Sequence, residues 1–108
     1  MEWTSEQSAI AFVGKPNGRV DEASWEAFHA AALGAVAQAG TVKLPLIIDL
    51  AGIDYMSSRG LRVLTLIKRE AEAKQVTLSL ARPNERMREI LAISRYDKIF
   101  DISTTLET

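Results

Sequence analysis

Residues 44–50 read Leu-Pro-Leu-Ile-Ile-Asp-Leu and form a nearly continuous apolar run. Such a run is typical of a β-strand that other elements cover on both faces, as they cover the inner strands of a parallel sheet. Helical periodicity precedes the run and follows it, and strands that alternate with helices indicate a sheet with helices packed on it. The run therefore predicts the central strand of an α/β fold.

Periodicity and turn residues predict the elements on either side of this strand. Predicted strands cover residues 8–13, 76–80 and 99–102, and a short strand near Trp3 pairs with the first of them. Predicted helices cover residues 22–38 and 58–74, and a third begins at Arg82-Pro83-Asn84 and continues through Leu91. Between these elements we expect a turn at Pro16-Asn17-Gly18, a loop at residues 51–57 and a short terminal helix at residues 104–108.

The order of these elements predicts how the strands pair. The first two strands have no helix between them, so they form an antiparallel hairpin, whereas helices separate the later strands, as is typical of parallel neighbours. The sequence therefore predicts an α/β fold with a mixed sheet of four to five strands and helices packed on it. The chain has 108 residues, the length of one domain, and we expect residues 1–108 to form a single domain.

Composition and charge argue against several classes of function. The formal net charge is −1 and the basic residues are scattered, so no nucleic-acid partner is expected. The chain has no cysteine and one histidine, His29, which excludes disulfides, thiolate catalysis and multi-histidine metal sites. No basic region followed by an apolar stretch opens the sequence, and no window approaches the roughly 20 apolar residues that span a bilayer. We therefore expect a cytoplasmic protein without cofactor or metal that does not insert into a membrane.

Catalytic motifs are also missing from the sequence. No glycine-rich phosphate loop, HExxH helix or GxSxG elbow is present. A serine-histidine-aspartate triad needs His29, which lies in a predicted helix directly after Phe28 and is better explained as a partly buried or surface residue. Asp49 ends a strand, as the phosphoacceptor of a response-regulator receiver does. A receiver also needs an acidic pair after its first strand, where this chain has Gly14-Lys15-Pro16-Asn17. We therefore expect no enzymatic activity.

Two serines, Ser57 and Ser58, lie where the loop after the central strand meets the next helix. The first amides of a helix are unpaired and carry the positive end of its dipole, so this position suits an oxygen atom or a phosphate. Either serine can serve as an N-cap, worth about 1 kcal/mol. A capping box is absent, because Gly60 and Leu61 stand where it needs Glu or Gln. Gly60 also costs the helix up to about 1 kcal/mol, which is explained if another molecule's backbone approaches closely.

The helix that follows has more apolar surface than one sheet face covers. Its polar strip is narrow and consists of Arg62, Thr65 and Arg69. The apolar residues that fill most of the remaining circumference are Leu61, Val63, Leu64, Leu66 and Ile67. Two explanations stay open: a neighbouring helix covers the excess, or part of it is a patch that binds a partner.

This central segment resembles the STAS family, named after sulfate transporters and anti-sigma factor antagonists. Members typically have a strand that ends in Asp-Leu, then an aromatic and an aliphatic residue, then Asp-Ser-Ser-Gly-Leu or Ser-Ser-Ala-Gly-Leu. The matching residues are Asp49-Leu50, Tyr55-Met56 and Ser57-Ser58-Arg59-Gly60-Leu61, and Arg62-Val63-Leu64 continues the similarity. Gly18-Arg19-Val20-Asp21 is similar to the family's turn before the first helix, and Asp97-Lys98-Ile99-Phe100 is similar to its usual close. The resemblance covers nearly the whole chain.

The resemblance implies an anti-sigma factor antagonist of a bacterial partner-switching pathway. The family's phosphoacceptor serine falls on Ser58, with Ser57 as the alternative. In such pathways a GHKL-type serine kinase, which is also the anti-sigma factor, phosphorylates that serine, and a PP2C-type phosphatase reverses the reaction. The implied partner-binding residues are Ser57, Arg59, Gly60, Leu61, Arg62 and Asp21. The alternative function is that of a STAS accessory subunit of a lipid or anion transporter, which is not phosphorylated.

Three residues depart from the family pattern. Ser57 replaces the acidic residue that commonly precedes the phosphoserine. Arg59 replaces a small residue after it, which changes the charge where a kinase docks. Pro16 interrupts what is usually a longer second strand.

Overall fold

The computed structural model describes residues 1–106, which form a mixed α/β structure. Within these residues the strands are β1 (Glu2–Gln7), β2 (Phe12–Val20), β3 (Leu46–Asp49), β4 (Gly52–Met56), β5 (Leu78–Ala81) and β6 (Ile102–Ser103). The helices are α1 (Trp25–Val42), α2 (Ser58–Ala73) and α3 (Glu85–Ile93), and a short 3₁₀ helix spans Tyr96–Lys98. The predicted α/β class with a mixed sheet is confirmed.

The sheet runs in the order β1-β2-β3-β5-β6, and β4 pairs with β2 beside that path. β1 is antiparallel to β2, and the other pairs are parallel. β3 lies inside the predicted strand at residues 44–50 and pairs with β2 on one side and β5 on the other. The prediction of a central strand there is confirmed, as is the antiparallel hairpin at the edge of the sheet.

β2 has two parallel partners in succession along its length. Residues 12–14 pair with β3, and residues 17–20 pair with β4. Pro16 lies between these stretches, opposite Trp3 of β1 but with no partner in β3 or β4. The N–H that proline lacks therefore leaves no bond to β3 or β4 unmade. The predicted turn at Pro16-Asn17-Gly18 is therefore wrong, and so is the prediction that Pro16 interrupts the second strand.

The loop predicted at residues 51–57 is also wrong, because β4 forms there. Gly52 and Asp54 have low strand propensity, but pairing with β2 and the burial of Ile53 and Met56 outweigh that local preference. β4 raises the sheet to six strands within residues 1–106, compared with the four to five that we expected.

Both ends of the chain differ from the predictions in detail. The short strand near Trp3 is β1, but residues 8–11 form a turn in which Ser8 Oγ accepts hydrogen bonds from the amides of Ile10 (3.2 Å) and Ala11 (3.1 Å). β6 begins at the last residue of the strand predicted at 99–102. Of the terminal helix predicted at residues 104–108, residues 104–106 are not helical, and residues 107–108 lie outside the described part of the chain.

Helices α1 and α2 pack on the sheet, as predicted, and they also pack against each other. Their buried side chains join those of the strands in one apolar cluster that includes Phe28, Leu46, Ile48, Leu64, Ile67 and Leu80. α1 contributes mainly small buried residues, Ala32, Ala35 and Ala39, which permit close packing. No helix within residues 1–106 is both long enough and apolar enough to cross a membrane.

Asp49 ends β3 as a buried carboxylate with 3% of its surface exposed. Arg82, which follows β5, donates from Nε to Oδ1 over 3.2 Å and from Nη2 to Oδ2 over 2.5 Å, and the Ala51 amide donates to Oδ1 over 3.1 Å. Burial acts to raise the pKa of the Asp49 carboxyl, but these hydrogen bonds and the charge of Arg82 outweigh burial and lower the pKa below its usual value. The ion pair between Asp49 and Arg82 therefore joins the ends of β3 and β5.

This ion pair predicts different stabilities for two variants. Arg82→Met leaves the Asp49 carboxylate buried without its charged partner, so the free energy of unfolding at pH 7 is expected to fall by about 1–3 kcal/mol, the cost of an unsatisfied buried group. Asp49→Asn removes the buried charge itself and leaves Arg82 partly in contact with water, so a smaller loss is expected. Urea titrations at pH 7 measure both losses. A loss in Asp49→Asn that equals or exceeds the loss in Arg82→Met would contradict the assignment.

The pH dependence of stability provides a second check on the same pair. Because the folded pKa of Asp49 lies below its unfolded value, the pair stabilises the wild-type chain above the unfolded pKa, and this stabilisation is lost as the pH falls through the folded pKa. In Arg82→Met, unpaired burial raises the pKa of Asp49 instead. The stability deficit of this variant relative to wild type should therefore shrink as the pH falls from the raised pKa of the variant, above about 4, to the lowered pKa of the wild type. A deficit that is constant from pH 7 to pH 3 would argue against a charged Asp49.

Candidate functional site

The starts of α1 and α2 lie together at one edge of the sheet, beyond the ends of β2 and β4. β2 ends at Val20 and leads into α1, and β4 ends at Met56 and leads into α2. The Ser57 amide donates to the Val20 carbonyl over 2.8 Å and ties the two strand ends together. The residues that the sequence analysis proposed for the site, Asp21 and residues 57–62, are thereby brought to the same edge of the fold.

Ser57 is the N-cap of α2. Its backbone is extended, with φ −76° and ψ 173°, and its Oγ accepts a hydrogen bond from the Gly60 amide over 3.3 Å. This bond satisfies one of the free amides in the first turn of the helix. The Ser57 hydroxyl is therefore engaged, and the residue is half-buried.

Ser58 is the first residue of α2 and is exposed. Its hydroxyl makes no hydrogen bond to any other residue of the described range 1–106. The structure thus separates the two serines that the sequence left as alternatives for the cap: Ser57 caps the helix, and Ser58 presents its hydroxyl to solvent. The assignment of Ser58 as a phosphoacceptor stays a prediction, and it has the accessibility that modification needs.

Gly60 is buried against the chain's own core. A methyl group at position 60 would lie 2.5 Å from Met56 Cγ and 2.7 Å from Val20 Cγ1. Because these neighbours end the two strands that meet here, α2 can begin this close to β2 and β4 only if residue 60 has no side chain. The close approach at Gly60 is therefore intramolecular, and no approach by another molecule is needed to explain the glycine.

Arg59 connects the first turn of α2 to the start of α1. Its guanidinium carbon lies 5.0 Å from the centre of the Trp25 ring, and its Nε lies 3.6 Å from Glu22 Oε2. An exposed ion pair alone contributes little, and the cation–π contact adds to it. Arg59 is therefore held over α1, and it leaves Ser58 uncovered.

Asp21 holds the turn between β2 and α1. Its Oδ1 accepts a hydrogen bond from the Ala23 amide over 3.0 Å and lies 3.1 Å from the Ser24 hydroxyl, which in turn accepts from the Asp21 amide over 3.0 Å. The bond from Ala23, aided by Ser24 and by the charge of Arg19, outweighs desolvation and lowers the pKa of the Asp21 carboxyl. Asp21 shapes the start of α1, and its predicted contact with a partner stays a prediction.

A groove of about 500 Å³ lies between α1 and α2, and one of its lining residues, Arg59, directly follows Ser58. Its lining residues are Trp25, His29, Arg59, Arg62, Val63 and Leu66. Within the apolar arc of α2, Val63, Leu64 and Ile67 are buried, whereas Leu66 is half-buried and reaches the groove. Packing therefore covers most of the wide arc, as the first explanation expects, and the remainder borders an open groove; that this remainder binds a partner stays a prediction.

The sequence analysis assigned no role in this surface to Trp25, His29 or Tyr55. Trp25 lies in the helix predicted at residues 22–38; it is half-buried beneath Arg59 and lines the groove together with His29. Tyr55 lies 4.8 Å from the guanidinium of Arg19 and 6.0 Å from that of Arg86. The sequence shows that aromatic and arginine residues are present, but it does not show which of them pair, because the pairs join segments that are distant in the chain.

Comparison with known proteins places this geometry in a family. The family model described as "Mlab, STAS domain" matches residues 6–104. A putative anti-sigma factor antagonist, BtrV of Bordetella bronchiseptica, is 34% identical over 62 residues, which are 57% of this chain and 53% of that protein. The matched part of the chain thus spans about half the length of this curated relative.

Solved structures share the fold at lower sequence identity. An anti-sigma factor antagonist from Mycobacterium paratuberculosis has a TM-score of 0.83 and 22% identity, covering 97% of this chain and 86% of that one. The antagonist SpoIIAA in its unphosphorylated form has a TM-score of 0.74 and 20% identity, covering 97% of this chain and 90% of that one. The phosphorylated form of SpoIIAA from Bacillus has a TM-score of 0.66 and 20% identity, with 97% and 93% covered.

The position of Gly60 predicts opposite effects for two glycine substitutions. Gly60→Ala should destabilise the chain by about 1–3 kcal/mol, because its methyl group overlaps Val20 and Met56. Gly34→Ala is the matched control, since Gly34 is exposed within α1 and nothing outside its own helical turns lies within 4 Å of the added methyl. Alanine's higher helix propensity should stabilise that variant by up to about 1 kcal/mol. Thermal unfolding measures both signs, and an unchanged or raised midpoint for Gly60→Ala would rule out the packing constraint.

Proposed function

The chain belongs to the STAS domain family, and we propose that it is an anti-sigma factor antagonist whose binding to its partner is switched by phosphorylation of Ser58. The partner is a GHKL-type serine kinase that is also the anti-sigma factor, and a PP2C-type phosphatase removes the phosphate. The unphosphorylated chain sequesters the kinase and frees the sigma factor. In this proposal the chain acts by binding rather than by catalysis, and it works in the cytoplasm, where the kinase has ATP.

The position of the Ser58 hydroxyl is the observation that carries this proposal. It is exposed at the first residue of α2, whereas the neighbouring Ser57 hydroxyl is used in the helix cap. A kinase can reach the Ser58 oxygen without unfolding the helix. In the transfer, Ser58 Oγ bonds to the γ-phosphorus of ATP, the bond from that phosphorus to the bridging oxygen breaks, ADP leaves, and the hydroxyl proton passes to a base of the kinase.

The place of Ser58 in α2 determines what the phosphate does. Phosphorylation adds about −1.5 to −2 charges and three acceptor oxygens. At a helix N-terminus this charge is favoured by the dipole, so the free chain keeps its fold. In a complex that buries Ser58, however, the phosphate must be desolvated against the partner's surface. The cost therefore falls on the complex, which is the property that a reversible switch requires.

The relatives support the same function. BtrV is described as a putative anti-sigma factor antagonist, and SpoIIAA has been solved in both phosphorylated and unphosphorylated forms. Ser57 stands where the family commonly has an acidic residue, and its hydroxyl caps the helix as a carboxylate can. This departure is therefore compatible with a phosphoacceptor at position 58.

The proposed partner-binding residues differ in how they contribute. Ser57 and Leu61 are half-buried, and Arg59 and Arg62 are exposed, so all four can contact a docked protein. Gly60 is buried, and its contribution is to hold the first turn of α2 against the strand ends.

Substitutions at the two serines separate capping from switching. Ser58→Ala should keep its stability within about 0.5 kcal/mol and bind the kinase like the wild type. Ser58→Glu should also fold, because a carboxylate suits a helix N-terminus, but should bind the kinase at least about tenfold more weakly. Ser57→Ala is the matched control and should lose about 1 kcal/mol of stability, because it removes the cap. Thermal unfolding and calorimetric titration with the cognate kinase measure these effects.

Mass spectrometry after incubation with the kinase and ATP should find one phosphate, on Ser58, in the wild type and in Ser57→Ala. Phosphate on Ser57 alone would move the acceptor by one residue. Kinase binding without any phosphate transfer would refute the switch, and absence of both binding and phosphate would favour the alternative of a transporter accessory subunit.

A further inference from the structure

Arg62 is a cation without an ionic partner, one helical turn beyond Ser58. It is exposed in the second turn of α2, and no carboxylate of residues 1–106 lies within ion-pair distance of it. Arg59, in contrast, is engaged with Glu22 and with the Trp25 ring. Of the two arginines that line the groove between α1 and α2, Arg62 is therefore the one whose charge is unpaired.

The charge distribution at the start of α2 is the reverse of what a helix dipole favours. Acidic residues stabilise the first turn of a helix, and α1 and α3 have Glu26 and Glu85 there. The first turn of α2 has no acidic residue, and Arg59 and Arg62 stand in its first two turns. The first turn of α2 therefore has no negative group of its own, and the nearby Glu22 carboxylate is paired with Arg59.

Helix geometry places Arg62 within reach of such a group on Ser58. Residues four apart lie on the same helix face with about 5–6 Å between their Cβ atoms. Side chains of a helix lean towards its N-terminus, so the side chain of Arg62 is long enough to reach the turn that holds Ser58. Two N–H groups of one guanidinium can bind two oxygens of a phosphate.

We propose that Arg62 pairs with a carboxylate of the bound partner when Ser58 is unmodified and with the phosphate when Ser58 is phosphorylated. This inference rests on the proposed function and assigns the partner chemistry of that site. The partner segment places an apolar side chain in the groove, against Trp25, Val63 and Leu66, with an Asp or Glu beside it that reaches Arg62. When Ser58 is phosphorylated, its phosphate pairs with Arg62 within the chain, and the partner's carboxylate then faces a negative group.

Competition for Arg62 explains why a small group at the helix end affects the whole interface. The phosphate has about twice the charge of a carboxylate and is attached one turn away, so it needs no encounter to reach Arg62. In the complex, the partner's carboxylate would then be desolvated without a cation and next to a like charge. Arg62 therefore converts the modification of one exposed residue into a change in the charge of the groove.

The intramolecular pair is tested without any partner, in the full chain carrying phosphoserine at position 58. Phosphorus-31 NMR follows the second deprotonation of the phosphate, which a neighbouring guanidinium favours. The titration midpoint should lie roughly 0.3 pH units or more lower in the wild-type background than in Arg62→Gln. Arg69→Gln is the matched control, because Arg69 is exposed two turns further along α2 and is not part of the groove. The other charged and titratable groups near the start of α2, Arg59, Glu22 and His29, are the same in all three proteins.

The contact with the partner is tested by titrating the cognate kinase with the unmodified chain. Arg62→Gln should weaken binding about three- to tenfold in low salt and flatten the salt dependence, whereas Arg69→Gln should change affinity less than twofold. If the wild type binds the kinase and Arg62→Gln and Arg69→Gln bind it with equal affinity, the inference is overturned and the proposed function stands. Equal phosphorus-31 midpoints in wild type and Arg62→Gln would overturn it as well. Absence of kinase binding by the wild type would overturn the proposed function and, with it, the partner half of the inference.

Discussion

The structure depends on the division of β2 between two parallel partners. β3 pairs with its first part, at residues 12–14, and β4 pairs with its second part, at residues 17–20. This arrangement brings the end of β4 beside the end of β2, so that Met56 and Val20 meet beneath Gly60. α2 begins at this point only because position 60 has no side chain. The location of the candidate site is therefore a consequence of strand pairing and of one close contact in the core.

Most polar groups at this edge are used to build it. The Ser57 hydroxyl caps α2, the Asp21 carboxylate holds the turn before α1, and Arg59 lies over Trp25. Ser58 and Arg62 are left with free polar groups within the described residues, one turn apart on the same helix. A rigid edge with two unpaired groups of complementary chemistry suits a switch that acts on binding. It changes surface charge while the contacts that maintain the fold stay in place.

The sequence predicted the fold class and the central strand because both follow from local patterns, the apolar run at residues 44–50 and the alternation of strands with helices. It missed β4 and the full length of β2. Pro16, Gly52 and Asp54 have low strand propensity, and they lie in strands only because segments distant in the chain pair with each other. The segment proposed as the candidate site was chosen from its residues, and its role stays a prediction. The sequence could not show that Ser57 caps α2, because this depends on backbone geometry, or that Gly60 permits close packing, because this depends on contact with the distant Val20. The Asp49–Arg82 pair escaped prediction for the same reason.

The central claim is that phosphate on Ser58 changes binding and leaves the fold intact. The most direct test is calorimetric titration of the cognate kinase with the unmodified chain and with the chain carrying phosphoserine at position 58, with amide hydrogen exchange of each free form measured alongside. The account predicts an affinity at least about tenfold lower for the phosphorylated form, with equal protection of the amides of β2, β3 and β5 in both. Equal affinities for the two forms, or loss of sheet protection on phosphorylation, would contradict it.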